Sequence, residues 1–289
     1  MQKKTLTICA AAVCMVLALG IILYPVISIR YNEKHQSEIH SVYQQQIQEV
    51  DNSHIELQWE AAAAYNSTLV PGTQMADAFS KEAILEAASD YKELLNLTGN
   101  GIMGFVKIPS IRVNLPIYHG TDSHTLESGI GHLLGSSLPI GGPGTHTVLT
   151  GHSGMASQKM FSDLPQLEIG DEFYLEVLDG TLAYQVDQIQ TVLPYETELL
   201  EITAGQDLCT LVTCTPIGIN SHRLLVRGHR VPYVEAQFEA EEQIVEQETA
   251  PVSTWQQTYI KGILIGLGLT LCMTVLAASA WWFWRQYHE

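Results

Sequence analysis

The chain begins and ends on apolar runs and is polar, then β-patterned, between them. From Thr5 to Ile29 there are 25 residues without a charge, and from Gly262 to Trp284 another 23. Each run exceeds the roughly 20 residues that cross a hydrocarbon core about 30 Å thick. The pattern therefore predicts an N-terminal membrane anchor over 1–30 and a C-terminal transmembrane helix over 260–285. Trp281, Trp282 and Trp284 stand at one end of the second run like an aromatic belt. The alternative for the first run is a cleaved signal peptide, but Tyr24-Pro25-Val26-Ile27-Ser28 is a poor cleavage site. Lys3 and Lys4 favour a cytoplasmic N-terminus. Two spans would place the C-terminus on the same side and the intervening domain outside the cell.

Behind the first run, Ile39, Tyr43, Ile47 and Val50 recur at helical spacing in a Gln/Glu-rich stretch, which predicts a lightly packed stalk helix over 31–65. Pro71-Gly72 breaks it, leaving a loop over 66–80. Ser80 is a candidate N-cap for a helix over 81–100, whose stripe is Ile84, Leu85, Ala88, Tyr91, Leu94 and Leu95. From 101 to 233 the period shortens. Apolar runs at Met103–Ile108, Ile111–Tyr118, His146–Thr150, Phe173–Val177, Ala183–Val192, Leu208–Thr213 and Leu224–Arg230 are parted by Gly, Pro and Asp-Gly turns. Many short strands with turns predict a mainly β sandwich or barrel. Alternation breaks near Gln188, as at a bulge. Residues 234–259, with six glutamates between Glu235 and Glu248, read as a solvated acidic linker.

Charge and cysteine usage narrow the function. Residues 31–259 hold 30 acidic side chains against 9 Lys plus Arg. Such a domain is repelled by phosphates, so nucleic acid is not an expected partner. Outside the apolar ends only Cys209 and Cys214 remain. Five residues apart on one strand, they face opposite ways about 16 Å apart, too far for a disulfide. Cys209 reads as a buried small hydrophobe. Cys214, at a strand exit next to a Thr-Pro loop, is the candidate reactive thiol.

Acyl transfer by a thiol needs a base and a cationic donor beside it. His152, in the segment Thr147-Val148-Leu149-Thr150-Gly151-His152-Ser153-Gly154, repeats the strand-exit placement of Cys214. His222 and His229 compete by sequence proximity, which is a poor guide to spatial grouping. Arg223 lies at the same end of the strand pair as the Cys214 loop; Arg227 and Arg230 read equally well as exposed strand charges. No CxxC, HxxxH or HExxH spacing occurs, so no metal site is expected.

These residues resemble the sortase family. Thr210-Leu211-Val212-Thr213-Cys214, followed by Arg223, is similar to the family signature Thr-Leu-x-Thr-Cys…Arg, and the His152 segment to its histidine block. The stretches around 101–121, 131–152 and 161–177 resemble class C, pilin-polymerising sortases of Gram-positive bacteria. The resemblance implies a closed β-barrel of about eight strands and no cofactor. It implies that Cys214 attacks the Thr–Gly carbonyl of a Leu-Pro-x-Thr-Gly-like sorting signal. His152 would act as acid then base, and Arg223 would hold the carbonyl oxygen. The expected partners are pilin subunits that carry a sorting signal and an acceptor lysine, together with the bilayer through two spans. It also implies a lid in which Asp77 faces Arg223 and Phe79 covers Cys214, although the family's proline between them is Ala78 here. A plain connector is the alternative reading of that loop. For function, the alternatives are a sortase that anchors proteins to cell-wall peptide amines and a catalytically idle tethered scaffold.

Overall fold

The computed structural model describes residues 2–80, 89–236, 238–239 and 254–288. It divides into two compact units, one of Met1–Leu23 with Pro251–Glu289 and one of Tyr24–Ala250. The helices in chain order are α1 (Gln2–Glu49), α2 (Asn52–Thr68), α3 (Ser89–Glu93), α4 (Ser123–Ser128) and α5 (Thr254–His288).

α1 carries the first apolar run through Pro25 into the polar stalk sequence as one helix. Among the described residues, no helix is long and apolar enough to cross a membrane. The expected transmembrane helices at the two ends are corrected by this, and with them the bilayer as a partner held through two spans. The expectation rested on absence of charge, whereas a span needs about 20 consecutive apolar residues within one helix, and the described parts of α1 and α5 do not supply them.

In the second unit, eight strands close into a barrel. They are β1 (Ile102–Ile108), β2 (Val113–His119), β3 (Ile130–His132), β4 (Thr145–Thr150), β5 (Glu172–Val177), β6 (Gly180–Val192), β7 (Asp207–Thr215) and β8 (His222–Val231). The order around the barrel is β1-β2-β3-β4-β7-β8-β6-β5. β2–β3 and β4–β7 are parallel pairs, and β1–β5 closes the ring antiparallel. Closure leaves no unpaired edge, which an open sheet of this length would expose. The interior is filled by inward side chains such as Val106, Ile117, Leu149, Phe161, Phe173, Leu175, Tyr184 and Val226, all fully buried. The alternation break near Gln188 is a register shift in β6 between Val186 and Gln188. The extra residue, Asp187, takes the Arg227 guanidinium at 2.9 and 3.0 Å.

Two helices plug the outside of the barrel. Tyr43 and Ile47 of α1 are buried and Ile39 and Val50 pack beside them, so the stripe read from the sequence faces the barrel. The stalk is not one helix: Asp51 interrupts it, capping α2 by accepting from the Ser53 amide at 2.8 Å. Trp59 of α2 donates to Asp179 at the β5–β6 turn, 2.9 Å. Of the expected helix over 81–100, residues 81–88 with Ile84, Leu85 and Ala88 lie outside the described residues. α3 supplies buried Tyr91, and buried Leu95 follows just past its end. Most of the acidic linker likewise lies outside them. At its start Phe238 is buried against Tyr174, with ring centroids 4.7 Å apart.

Candidate active site

Cys214 stands at the exit of β7 and Arg223 at the entrance of β8. The two strands pair antiparallel with Cys214 opposite Arg223 and Thr215 opposite His222. Cross-strand partners share a face and neighbours alternate, so Cys214 and Arg223 project together while His222 projects the other way. His222 instead bonds Ser221 Oγ at 2.9 Å. His229 lies far along β8, 3.9 Å from Asp187. Neither competitor joins the cysteine.

His152 arrives from a different strand. β4 runs parallel to β7, with Thr150 opposite Val212. The two strands therefore end at the same rim, and the residues just past them emerge together. The His152 carbonyl accepts from the Phe161 amide at 3.0 Å, which folds the following loop back on itself. Gly154 in that loop has φ +73°, and a Cβ there would lie 2.3 Å from Ile217 Cγ2, so only glycine fits.

The third component comes from the segment ahead of the barrel. Asp77 binds Arg223 through a two-pronged pair, Nε to Oδ1 at 2.8 Å and Nη2 to Oδ2 at 2.7 Å. The Phe79 ring lies 5.0 Å from the Arg223 guanidinium carbon and 5.8 Å from the His152 ring centroid. One phenyl group thus touches both the cation and the imidazole. Met75 and Ala78 are buried in a small apolar cluster with Leu133, Val148, Leu200, Val212 and Leu225. Thr197 Oγ1 donates to the Met75 carbonyl at 2.9 Å. Ala78, where a proline would restrict φ, is packed into that cluster by its methyl group alone.

The electrostatics follow from this packing. Burial pushes the Cys214 thiol pKa up; the Arg223 charge opposes the shift and the Asp77 charge adds to it. Burial pushes His152 down, partly offset by Glu127 on α4. Both shifts favour the uncharged form of the group. Burial works against the Arg223 charge, but the Asp77 hydrogen bond and the charges of Cys214 and Asp77 outweigh it and raise its pKa further. Nη1 of Arg223 is also occupied, by the carbonyls of Asn220 and His222 at 3.2 Å each.

Cys209 is free and fully buried, and burial raises its pKa well above the ordinary thiol value. It takes no part in the site. Arg227 pairs with Asp187, and the Arg230 guanidinium lies over Tyr184 at 5.6 Å. Among the described residues, no group of three or more His, Cys, Asp or Glu side chains is placed to hold a metal ion. Sequence reasoning gave no separate role to Ser153, Thr213 or Glu127. Thr213 stood in a strand run and in the signature ahead of Cys214, and neither signals what its hydroxyl bonds.

Comparison with known proteins agrees with this geometry. A family model described as the sortase domain matches residues 106–231. Sortase A of Bacillus anthracis is 31% identical over 144 residues, which is 49% of this chain and 67% of that protein. The crystal structure of Streptococcus pneumoniae sortase C, a protein described in connection with pilin substrate specificity, is 43% identical. It superimposes with a TM-score of 0.64 over 68% of this chain and 98% of that one. Sortase C-1 of Actinomyces oris is 46% identical, with a TM-score of 0.58 over 63% of this chain and 99% of that one.

Proposed function

The chain belongs to the sortase family of cysteine transpeptidases, and from that premise we propose that it polymerises pilins. In this reading Cys214 is the nucleophile, His152 the acid and base, and Arg223 the donor to the developing oxyanion. The substrate is a Leu-Pro-x-Thr-Gly-like sorting signal, cut between Thr and Gly. The thiol proton passes to His152 as the sulfur attacks the carbonyl carbon. The imidazolium then protonates the leaving glycine amine, and a thioester remains on Cys214. A lysine amine of the next pilin attacks the thioester and yields its proton to His152. An isopeptide bond forms and the free thiol returns.

The observation that carries the reading is the pairing of Cys214 with Arg223 in register at the rim where the β4 exit delivers His152. The class C assignment is supported by the likeness to sortases C and by the segment around Asp77 and Phe79. That segment acts as a lid. With Asp77 on Nε and Nη2 and two carbonyls on Nη1, Arg223 cannot present its fork to a substrate. Opening therefore exchanges one set of hydrogen bonds for another. It also removes the carboxylate that pushes the thiol pKa up. Ala78 lacks the restriction a proline would place on the open loop. Where proline fits, that restriction amounts to about 0.4–1 kcal/mol, so this lid opens more readily than one with proline.

Incubation with a purified pilin subunit tests the function. A ladder of covalent oligomers that disappears in Cys214→Ala is expected. Cleavage without a ladder, or transfer only to cell-wall peptide amines, contradicts pilin polymerisation. Full cellular function in Cys214→Ala would favour an idle scaffold.

A further inference from the structure

The β4–β7 ladder stops short of the reacting residues. Its last paired residues are Thr150 and Val212, and the last main-chain bond runs from the Gly151 amide to the Val212 carbonyl, 3.0 Å. His152 and Cys214 both lie beyond that bond. Two side-chain hydroxyls continue the connection. Thr213 Oγ1 donates to the Gly151 carbonyl at 2.7 Å. Ser153 Oγ donates to the Cys214 carbonyl at 2.6 Å. One bond leaves β7 for the histidine segment and the other returns. Their end points are the two neighbours of His152 on one side, and Cys214 with its predecessor on the other.

We propose that Thr213 and Ser153 are positioning residues, whose hydroxyls form a reciprocal clasp that fixes the imidazole of His152 relative to the thiol of Cys214. The proposal rests on reading those two groups as the acid–base and the nucleophile. Past the end of a parallel pair the chains diverge, and peptide groups no longer meet in ladder geometry. A side-chain hydroxyl adds reach that a main-chain amide lacks, and it can bond a carbonyl that would otherwise lose its partner. The loop after His152 is closed internally by the Phe161 amide on the His152 carbonyl and by the Gly154 amide on Ser162 Oγ at 2.9 Å. The clasp ties that closed loop to the strand carrying the thiol. Thr213 is fully buried, so water cannot substitute for its bond. Both hydroxyls bind main-chain carbonyls and take no part in bond making. Their effect passes through distance alone, and a misplacement of 1 Å between reacting groups can cost about 100-fold in rate.

Thr213→Val, Ser153→Ala and the conservative Thr213→Ser test the clasp through two readouts. One is the pH profile of Cys214 alkylation by iodoacetamide, which needs no sorting signal. The other is the rate of acyl-enzyme formation with a Leu-Pro-x-Thr-Gly peptide. Thr213→Val and Ser153→Ala should each lower kcat about 10- to 100-fold with KM little changed. Their alkylation profiles should move toward that of His152→Ala, and Thr213→Ser should recover both properties. Acylation within two-fold of the parent, alkylation profiles that superimpose on the parent's, or a loss that Thr213→Ser does not recover would each overturn the proposal. Ser153, only half-buried, keeps the test open if Thr213→Val fails to fold. If the parent itself forms no acyl-enzyme, the functional reading fails instead, and the alkylation profiles alone decide the clasp.

Discussion

At the scale of single residues, burial biases the thiol and the imidazole toward their uncharged forms, and the Arg223 fork is occupied. Burial raises the Cys214 thiol and lowers the His152 imidazole, and Asp77 both adds to the first shift and fills the Arg223 fork. Asp77→Ala removes a negative charge that disfavours thiolate. The pH midpoint of Cys214 alkylation should therefore fall, and alkylation at pH 7 should speed up several-fold. An unchanged midpoint and rate would mean that Asp77 neither covers nor biases the thiol. Arg223→Lys keeps the charge but loses the planar fork. Removal of one oxyanion donor costs about 100- to 1,000-fold in kcat in other enzymes. A loss of that order in peptide acylation, with folding intact by circular dichroism, is the expected outcome. The reacting residue types were legible in the sequence because a thiol, an imidazole and a guanidinium stood at strand ends. The bonds of the Ser153 and Thr213 hydroxyls were not, since their partners are main-chain carbonyls 61 and 62 positions away.

At the scale of elements, the site is a product of which strands end together. Seven of the eight strands were legible as apolar runs with turns. β3, only three residues long, falls below the length at which alternation can be read. Its absence hid the bridge by which β2 reaches β4, and the β1–β5 closure has no local signature at all. Nor did the stalk pattern reveal its break, because Asp51 caps α2 inside an otherwise continuous helical spacing. The His152 loop depends on Gly154, whose positive φ and contact with Ile217 exclude a side chain. Gly154→Ala should destabilise the protein by about 1–3 kcal/mol, measured by urea unfolding, and slow acylation. Adding Ile217→Ala should relieve the steric part only, because the backbone strain remains. Full recovery in the double variant would show that φ at this position is immaterial.

At the scale of the whole molecule, two buried histidines make stability depend on pH. Burial lowers His132 and His146 to about 4 each, against hydrogen bonds to the carbonyls of Ser137 and Glu201 that oppose the shift. An unfolded histidine titrates near 6.5. Between that pH and about 4 the unfolded chain binds more protons than the native one, so stability rises with pH. The stabilisation is complete above about pH 6.5 and is lost as pH falls toward 4, by on the order of 3 kcal/mol for each group. The melting temperature should therefore drop between pH 7 and pH 5, and His146→Gln should flatten that slope. A slope identical to the parent's would show that His146 does not titrate on unfolding. The acidic excess was legible from composition, but this dependence was not, because His132 and His146 look like any strand or turn histidine until the barrel encloses them.

The central claim is that Cys214, His152 and Arg223 form one acyl-transfer site, and intact-mass spectrometry of the protein after incubation with a sorting-signal peptide tests it most directly. The account predicts a thioester adduct whose mass equals the peptide up to its threonine, mapped to Cys214, released by hydroxylamine and absent in Cys214→Ala. No adduct on Cys214 in the Asp77→Ala variant, with the peptide recovered uncut, would contradict it.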